Sequence, residues 1–219
     1  MTRVGLIITA AGKSERFGRP KLLDTLRDQP VIAWTIQSFL EFPFAQKILT
    51  VAPELHDQFA TIVHAIDPAF QLVVGDSTRA ASVHAGFCAL SDIDYVFIHD
   101  AARPFVPRTT LDHLLSTLEY AEVVIPVVPV TDTIKRVTPQ GIVERTLDRS
   151  TLVHVQTPQA FRHTTLRRAY EQALQRGSLL HTGITDEALL CEYIGVYAHT
   201  IPGDPISHKI TFPTDLRVL

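Results

Sequence analysis

Three short stretches bring charged and hydroxyl side chains to positions where an anionic ligand could be held. The first, TAAGKSERFGRPK at residues 9–21, leaves an apolar run for a glycine-containing loop that carries Lys13, Arg16, Arg19 and Lys21. Such a loop can turn backbone N–H groups toward an anion while its cations neutralise phosphate oxygens at close range, so a polyphosphate is the natural guest. Two familiar phosphate loops are excluded. GxxxxGK[ST] is absent, and Ser14 stands where a GxGxxG fingerprint needs its second glycine. Taken alone, the stretch fits a solvated basic turn as well.

The second stretch, GDSTRAASVHAGF at 75–87, opens a helix with Ser77 or Thr78 as its N-cap. Arg79 and Ser82 are three residues apart on the first turn and can face one crevice. The third, IHDAARPF at 98–105, sets Asp100 three residues before Arg103. Two readings are open here. A carboxylate beside a polyphosphate is explained by a divalent cation between them, because a bare Asp100 would repel the phosphate. Alternatively, Asp100 and Arg103 form an ion pair that stiffens the turn before Pro104. His99 reads as a core or supporting residue.

These stretches follow apolar runs that must position them. VGLIITA (4–10), KILTVA (47–52), QLVVG (71–75), DYVFIHD (94–100) and EVVIPVV (122–128) are apolar on both faces, as strands covered by helices on both sides must be. Between them, 31–42, 54–66, 79–90 and 108–120 place apolar residues at three- and four-residue intervals, with Pro107 as a start signal for the last. Repeated βα units predict a single α/β domain with a mostly parallel, doubly wound sheet, its ligands at the carboxyl ends of the strands. From Pro129 to about Val155 the pattern changes to polar-apolar alternation around a Pro-Gln-Gly turn, which predicts a hairpin. An isolated hairpin is marginal in water and needs a partner surface, on its own domain or on a second subunit.

Composition bounds the function classes. With 219 residues, 46% of them hydrophobic, the chain can bury a full core. Its two cysteines, Cys88 and Cys191, lie far apart without ligand spacing, which argues against a disulfide framework or a zinc site. A formal net charge of −3 disfavours a sequence-independent nucleic-acid binder, so an anionic ligand must be held by local cations. No signal-like segment opens the chain and no apolar run approaches the ~20 residues needed to cross a bilayer. The expected setting is the cytoplasm, with neither membrane nor nucleic acid as partner.

In combination, AAGKSERFGRPK, RAASVHAGF, HDAARPF, DTIKR, LDRSTLVHVQTPQAF, ITDEA and HKITFPTDL, in this order over almost the whole chain, resemble the 2-C-methyl-D-erythritol 4-phosphate cytidylyltransferase family. The resemblance implies a Rossmann-like nucleotidyltransferase that joins CTP to methylerythritol phosphate in nonmevalonate isoprenoid synthesis, releasing pyrophosphate. It puts Ala10, Ala11, Gly12, Gly75, Asp76 and Ser77 near cytosine and ribose, with Ser82 at the base and Arg79 in the nucleotide set. Arg16 and Lys21 match the cations that hold the triphosphate and stabilise charge at the α-phosphorus, and Lys209 joins them as a catalytic cation. Asp100 matches the residue associated with Mg²⁺ and the sugar phosphate, and Arg103 organises the same motif. Thr133, Arg149, Thr157 and Lys209 match positions that hold methylerythritol phosphate. The segment 129–155 corresponds to an arm that embraces the other subunit of a homodimer.

Three departures from the family pattern stand out. The first loop is shorter between Arg16 and the Pro-Lys pair, which bears on the register of Lys21. Ser207 and His208 replace the usual Asn-Ile before Lys209, and Asp76 takes the place of a second glycine. Two other readings are weighed. Ribitol 5-phosphate cytidylyltransferases share the nucleotide chemistry but tend toward HDSVRP and lack TIKR at 133–136. A CTP-binding protein without turnover is the other, though pure CTP binding has no use for Thr133, Arg149 and Lys209.

Overall fold

Side chains along the first strand sort into two cores. Leu6 and Ile8 pack into one hydrophobic cluster and Ile7 into another, all fully buried, as the two-residue period of a strand covered on both faces dictates. The structure, a computed structural model, describes residues 2–12, 14, 16–177 and 183–217. Lys13 lies outside the described residues. In chain order the elements are β1 (Val4–Ala10), β2 (Thr25–Leu26), β3 (Gln29–Pro30), α1 (Val31–Gln37), β4 (Gln46–Val51), α2 (His56–Ile66), β5 (Phe70–Val74), α3 (Arg79–Cys88) and β6 (Tyr95–Asp100). They continue with α4 (Arg108–Thr117), β7 (Val123–Pro129), β8 (Lys135–Val137), β9 (Val143–Thr146), β10 (Val153–Val155), β11 (Gln159–Arg162), α5 (His163–Gln175), α6 (Glu187–Glu192) and β12 (His199–Pro202).

β5, β4, β1 and β6 run parallel, each strand pairing with the next. The short β11 is inserted antiparallel between β6 and β7. β7 pairs antiparallel with β10 and parallel with β12. Val124 and Val127 of β7 each have partners on two sides, which puts β12 on one side of β7 and β10 and β11 in succession on the other. One core holds the apolar faces of α1, α2 and α4, and the other those of α3, α5 and α6. Helix α3 lies close on the sheet. A Cβ added to Gly86 would fall 2.9 Å from methyl carbons of both Ile7 and Thr50. The mostly parallel sheet between helical layers therefore agrees with the predicted fold.

Two boundaries differ from the sequence reading. Helix α1 ends at Gln37 rather than near 42, and the chain passes through tight turns toward Pro43, whose ring disfavours helix in the residue before it. The predicted arm of 129–155 is shorter at both ends. Pro129 closes β7 and Val153–Val155 returns to the main sheet as β10, so the free hairpin is β8–β9. Its turn encloses the predicted Pro-Gln-Gly, with Gly141 at φ +81°, where L side chains are strained. Every residue of β8 and β9 is exposed, including the apolar Val137 and Val143, as is Ile142 in the turn.

Candidate active site

The carboxyl ends of β1, β5 and β6 open onto one cleft of about 600 Å³, a volume within the usual range for small-molecule sites. Ala10, Ala11 and Gly12 continue from β1 into its wall. Gly75 faces them so closely that an added Cβ would lie 2.5 Å from that of Ala11 and 2.9 Å from Ser82 Oγ. Only glycine allows this approach. Thr78 caps α3, its hydroxyl accepting from Ala81 N–H, which settles the choice between Ser77 and Thr78. Ser82 Oγ accepts from Asp76 N–H at 2.9 Å and lies within 3.1 Å of the Asp76 and Thr78 carbonyls, so the buried hydroxyl shapes the loop. Asp76 and Ser77 line the cleft and are exposed to it. The Ser77 backbone N–H holds the Asp76 carboxyl below its ordinary pKa.

Among the described residues, four cations, Arg16, Lys21, Arg79 and Lys209, line the cleft against two carboxylates, Asp76 and Asp100. Arg16 is exposed. The shortened first loop still delivers Lys21, whose Nζ donates to the Ile210 carbonyl at 2.9 Å. Burial, and then the neighbouring charge of Lys209, lowers the Lys21 pKa. Two ammonium and two guanidinium groups in one partly desolvated cleft favour an anionic guest.

Asp100 is at the end of β6 with only 8% of its surface exposed. The ion pair with Arg103, the alternative reading of this stretch, does not form. Asp100 pairs with Lys209, Nζ to Oδ2 at 2.7 Å, and more loosely with Arg79 at 3.4 Å. Burial opposes ionisation of Asp100, but Arg79 and Lys209 outweigh it and hold the carboxyl well below the usual range. Arg103 turns the other way. It donates to the Ser207 carbonyl at 2.7 Å and toward the Val155 carbonyl at 3.3 Å, joining the loop before Lys209 to the end of β10. Its buried Nε has no hydrogen-bond partner, and Arg103, expected at the acceptor, does not line the cleft. Burial lowers the Arg103 pKa. Ser207, one of the family departures, donates its hydroxyl to the Phe105 carbonyl at 2.7 Å and fixes the Lys209 loop directly.

His99 is fully buried and burial drops its pKa to about 4. The ring is therefore neutral near pH 7. Nε2 faces the Arg103 carbonyl at 3.0 Å, which can only accept, so Nε2 carries the proton and Nδ1 accepts from the Thr157 hydroxyl at 3.0 Å. Thr157, expected on the acceptor, lies beneath Asp100 with 6% of its surface exposed, and it does not line the cleft. Thr133 and Arg149 are also outside the cleft of their own chain and exposed, with Arg149 donating to the Thr131 carbonyl.

Sequence reasoning passed over Glu187, although ITDEA was one of the recognised motifs. Its carboxylate is completely buried and both oxygens take Arg79 NH1, at 3.0 and 2.9 Å. Burial alone would drain charge from Arg79, but Glu187 and then Asp100 hold its pKa above the ordinary value. Thr9, Ser14 and Thr211, also in the lining, carried no local signal beyond their place in the quoted motifs.

The family model for 2-C-methyl-D-erythritol 4-phosphate cytidylyltransferase matches residues 4–218. The protein of that name from Bacillus pumilus is 38% identical, with 97% of this chain and 93% of the relative covered. A bifunctional enzyme IspD/IspF from Bartonella bacilliformis is 34% identical over 98% of the chain, which spans 55% of that longer relative. Among solved structures, 4-diphosphocytidyl-2C-methyl-D-erythritol synthase from Anaerococcus prevotii superposes with a TM-score of 0.86 at 25% identity, covering 99% of this chain and 94% of that one.

Proposed function

The chain belongs to the 2-C-methyl-D-erythritol 4-phosphate cytidylyltransferase family, and from that premise we propose that the cleft between the first loop, Asp100 and Lys209 is where its reaction takes place. The enzyme is a nucleotidyltransferase that joins CTP to 2-C-methyl-D-erythritol 4-phosphate, giving the diphosphocytidyl product and pyrophosphate for isoprenoid synthesis. What carries the site assignment is the excess, among the described residues, of four cations over two carboxylates in one cleft at the strand ends.

The acceptor phosphate is already an anionic nucleophile, so no general base is needed. In-line attack on the α-phosphorus asks for positioning and charge neutralisation. Ala10, Ala11, Gly12 and the Gly75–Ser77 backbone, with Ser82 behind them and Arg79 beside them, receive the nucleotide. Arg16 and Lys21 take the triphosphate oxygens. Lys209, once released from Asp100, faces the forming bond, and Arg103 holds the Lys209 loop against the acceptor side through the Ser207 carbonyl.

A divalent metal fits these residues as an ion that arrives with the triphosphate. No cluster of three His, Cys, Asp or Glu exists among the described residues, and Mg²⁺ is commonly held by one or two carboxylates together with substrate phosphates. Asp100 is the group to hold it, and its chemistry there is neutralisation of phosphate charge. The β8–β9 arm serves the acceptor side of a second copy in a homodimer, bringing Thr133 and Arg149. This reading is supported by their exposure and by the exposed Val137, Ile142 and Val143. A cytoplasmic setting accords with the absence, among the described residues, of any helix long and apolar enough to cross a membrane.

The test is pyrophosphate release from CTP and Mg²⁺ over an acceptor panel. Methylerythritol phosphate should be preferred. Preference for ribitol 5-phosphate would move the chain to that relative's activity, and CTP binding without release would leave a binding protein.

A further inference from the structure

Six consecutive carbonyls, from the last residue of β6 onward, are each caught by a different group. Asp100 O accepts from Arg103 N–H, Ala101 O from Thr35 Oγ1, Ala102 O from Ile210 N–H, Arg103 O from His99 Nε2, Pro104 O from Ser38 Oγ and Phe105 O from Ser207 Oγ. A segment held this completely has little freedom to move. At its head the bonds close on themselves. Asp100 N–H donates to Thr157 Oγ1 at 3.1 Å, Thr157 Oγ1–H donates to His99 Nδ1 at 3.0 Å, His99 Nε2–H donates to Arg103 O at 3.0 Å, and Arg103 N–H donates back to Asp100 O at 3.0 Å.

We propose that Thr157 and His99 are positioning residues for the transfer, holding Asp100 and Arg103 at their working separation through this circuit rather than touching substrate. The proposal rests on the reading of Asp100 and Arg103 as acceptor-side residues. The Thr157 hydroxyl has one proton, spent on His99, and one lone pair taken by Asp100 N–H. Both side chains are shut away from solvent, at 6% and 0% exposure, and the His99 ring is braced edge-on by Phe39 at 4.8 Å. Without the hydroxyl, the Asp100 N–H at the strand end loses its acceptor in a buried setting, and the carboxylate it carries loses its fixed direction.

Thr157→Val keeps the side chain's size and removes the hydroxyl, whereas Thr157→Ser keeps the hydroxyl. His99→Gln retains an amide donor for the Arg103 carbonyl but removes the ring nitrogen that Thr157 bonds, since the Gln amide oxygen sits at the far end of the side chain and not at the Nδ1 position. With CTP, Mg²⁺ and methylerythritol phosphate, Thr157→Val should lower kcat/KM for the acceptor about tenfold, the equivalent of one buried N–H left unpaired, with Thr157→Ser within about threefold of the parent. The double variant with His99→Gln should be no worse than Thr157→Val alone, because His99 acts through that hydroxyl. In an Asp100→Ala background, Thr157→Val should add less than about twofold. Amide hydrogen exchange at Asp100 should quicken in Thr157→Val and not in Thr157→Ser. Unchanged exchange at Asp100, multiplying effects in the double variant, or an undiminished Thr157→Val loss in the Asp100→Ala background would overturn the proposal. The last result would mark direct contact with substrate. Faster exchange with unchanged turnover would instead remove Asp100 from the reaction, and the proposal would fall with that reading. Should His99→Gln not fold, the Val and Ser variants at 157 carry the test.

Discussion

Replacing Glu187 by Gln removes the charge that anchors Arg79 while keeping the side chain's shape. Both Glu187 oxygens take Arg79 NH1 and the carboxylate has no exposed surface, while the Arg79 side chain keeps 27%. Breaking a fully buried pair by removing one partner costs ~3–5 kcal/mol. Water at the exposed part of Arg79 takes up some of that, leaving about 2–3 kcal/mol. In a chain of 219 residues this corresponds to a fall in Tm of roughly 4–12 °C. The freed guanidinium should turn fully to Asp100, now 3.4 Å away, and compete there with Lys209. The KM for CTP should then rise roughly tenfold, about the worth of one charge-assisted contact. Scanning calorimetry and initial rates of pyrophosphate release measure both. Asp112→Asn, which breaks the exposed pair with Arg108, is the control and should stay within about 0.5 kcal/mol of the parent. A Glu187→Gln protein with parental Tm and parental KM for CTP would refute the anchoring argument.

If the arm completes a partner's site, Lys21→Ala and Arg149→Ala should each be nearly inactive. Refolded together in equal amounts, they should recover roughly a quarter of parental activity, since half the dimers are mixed and each mixed dimer has one intact site. Recovery no greater than the sum of the separate variants, with mixed dimers verified by mass, would exclude a shared site. Gly75→Ala pushes a methyl into Ala11 and Ser82, so the loop must move, and an increased KM for CTP with acceptor KM unchanged is the expected result. Asp67 is held below its ordinary pKa, with burial opposing and Lys47 outweighing it at 2.7 Å. Its stabilisation is present above the unfolded value near pH 3.9 and lost as pH falls below it. Asp67→Asn should therefore flatten the acid limb of a urea-unfolding profile below about pH 4, and an unaltered limb would contradict the assignment.

The amino-acid pattern alone determined the α/β class, the strands that end at the cleft and the hairpin around Pro139-Gln140-Gly141, because period and turn chemistry are local properties. It also put Asp100 and the first loop at strand ends on one side of the sheet. The partner of Asp100 was beyond its reach. The nearest cation in sequence, Arg103, was a reasonable candidate, yet Lys209, 109 residues away, takes the carboxylate. That choice depends on the loop after β12 folding back over β6, which Ser207 and Arg103 fix by bonding to carbonyls of other segments. Glu187 was hidden for the same reason. On a six-residue helix it reads as an ordinary surface acid, and only the packing of α6 buries it against Arg79 of α3. Thr157 gave no sign of its place under Asp100, because the four residues of β11 are too few to announce a strand between β6 and β7. Local sequence fixes what each segment can become, whereas burial and hydrogen-bond satisfaction across the sheet decide which distant groups must meet.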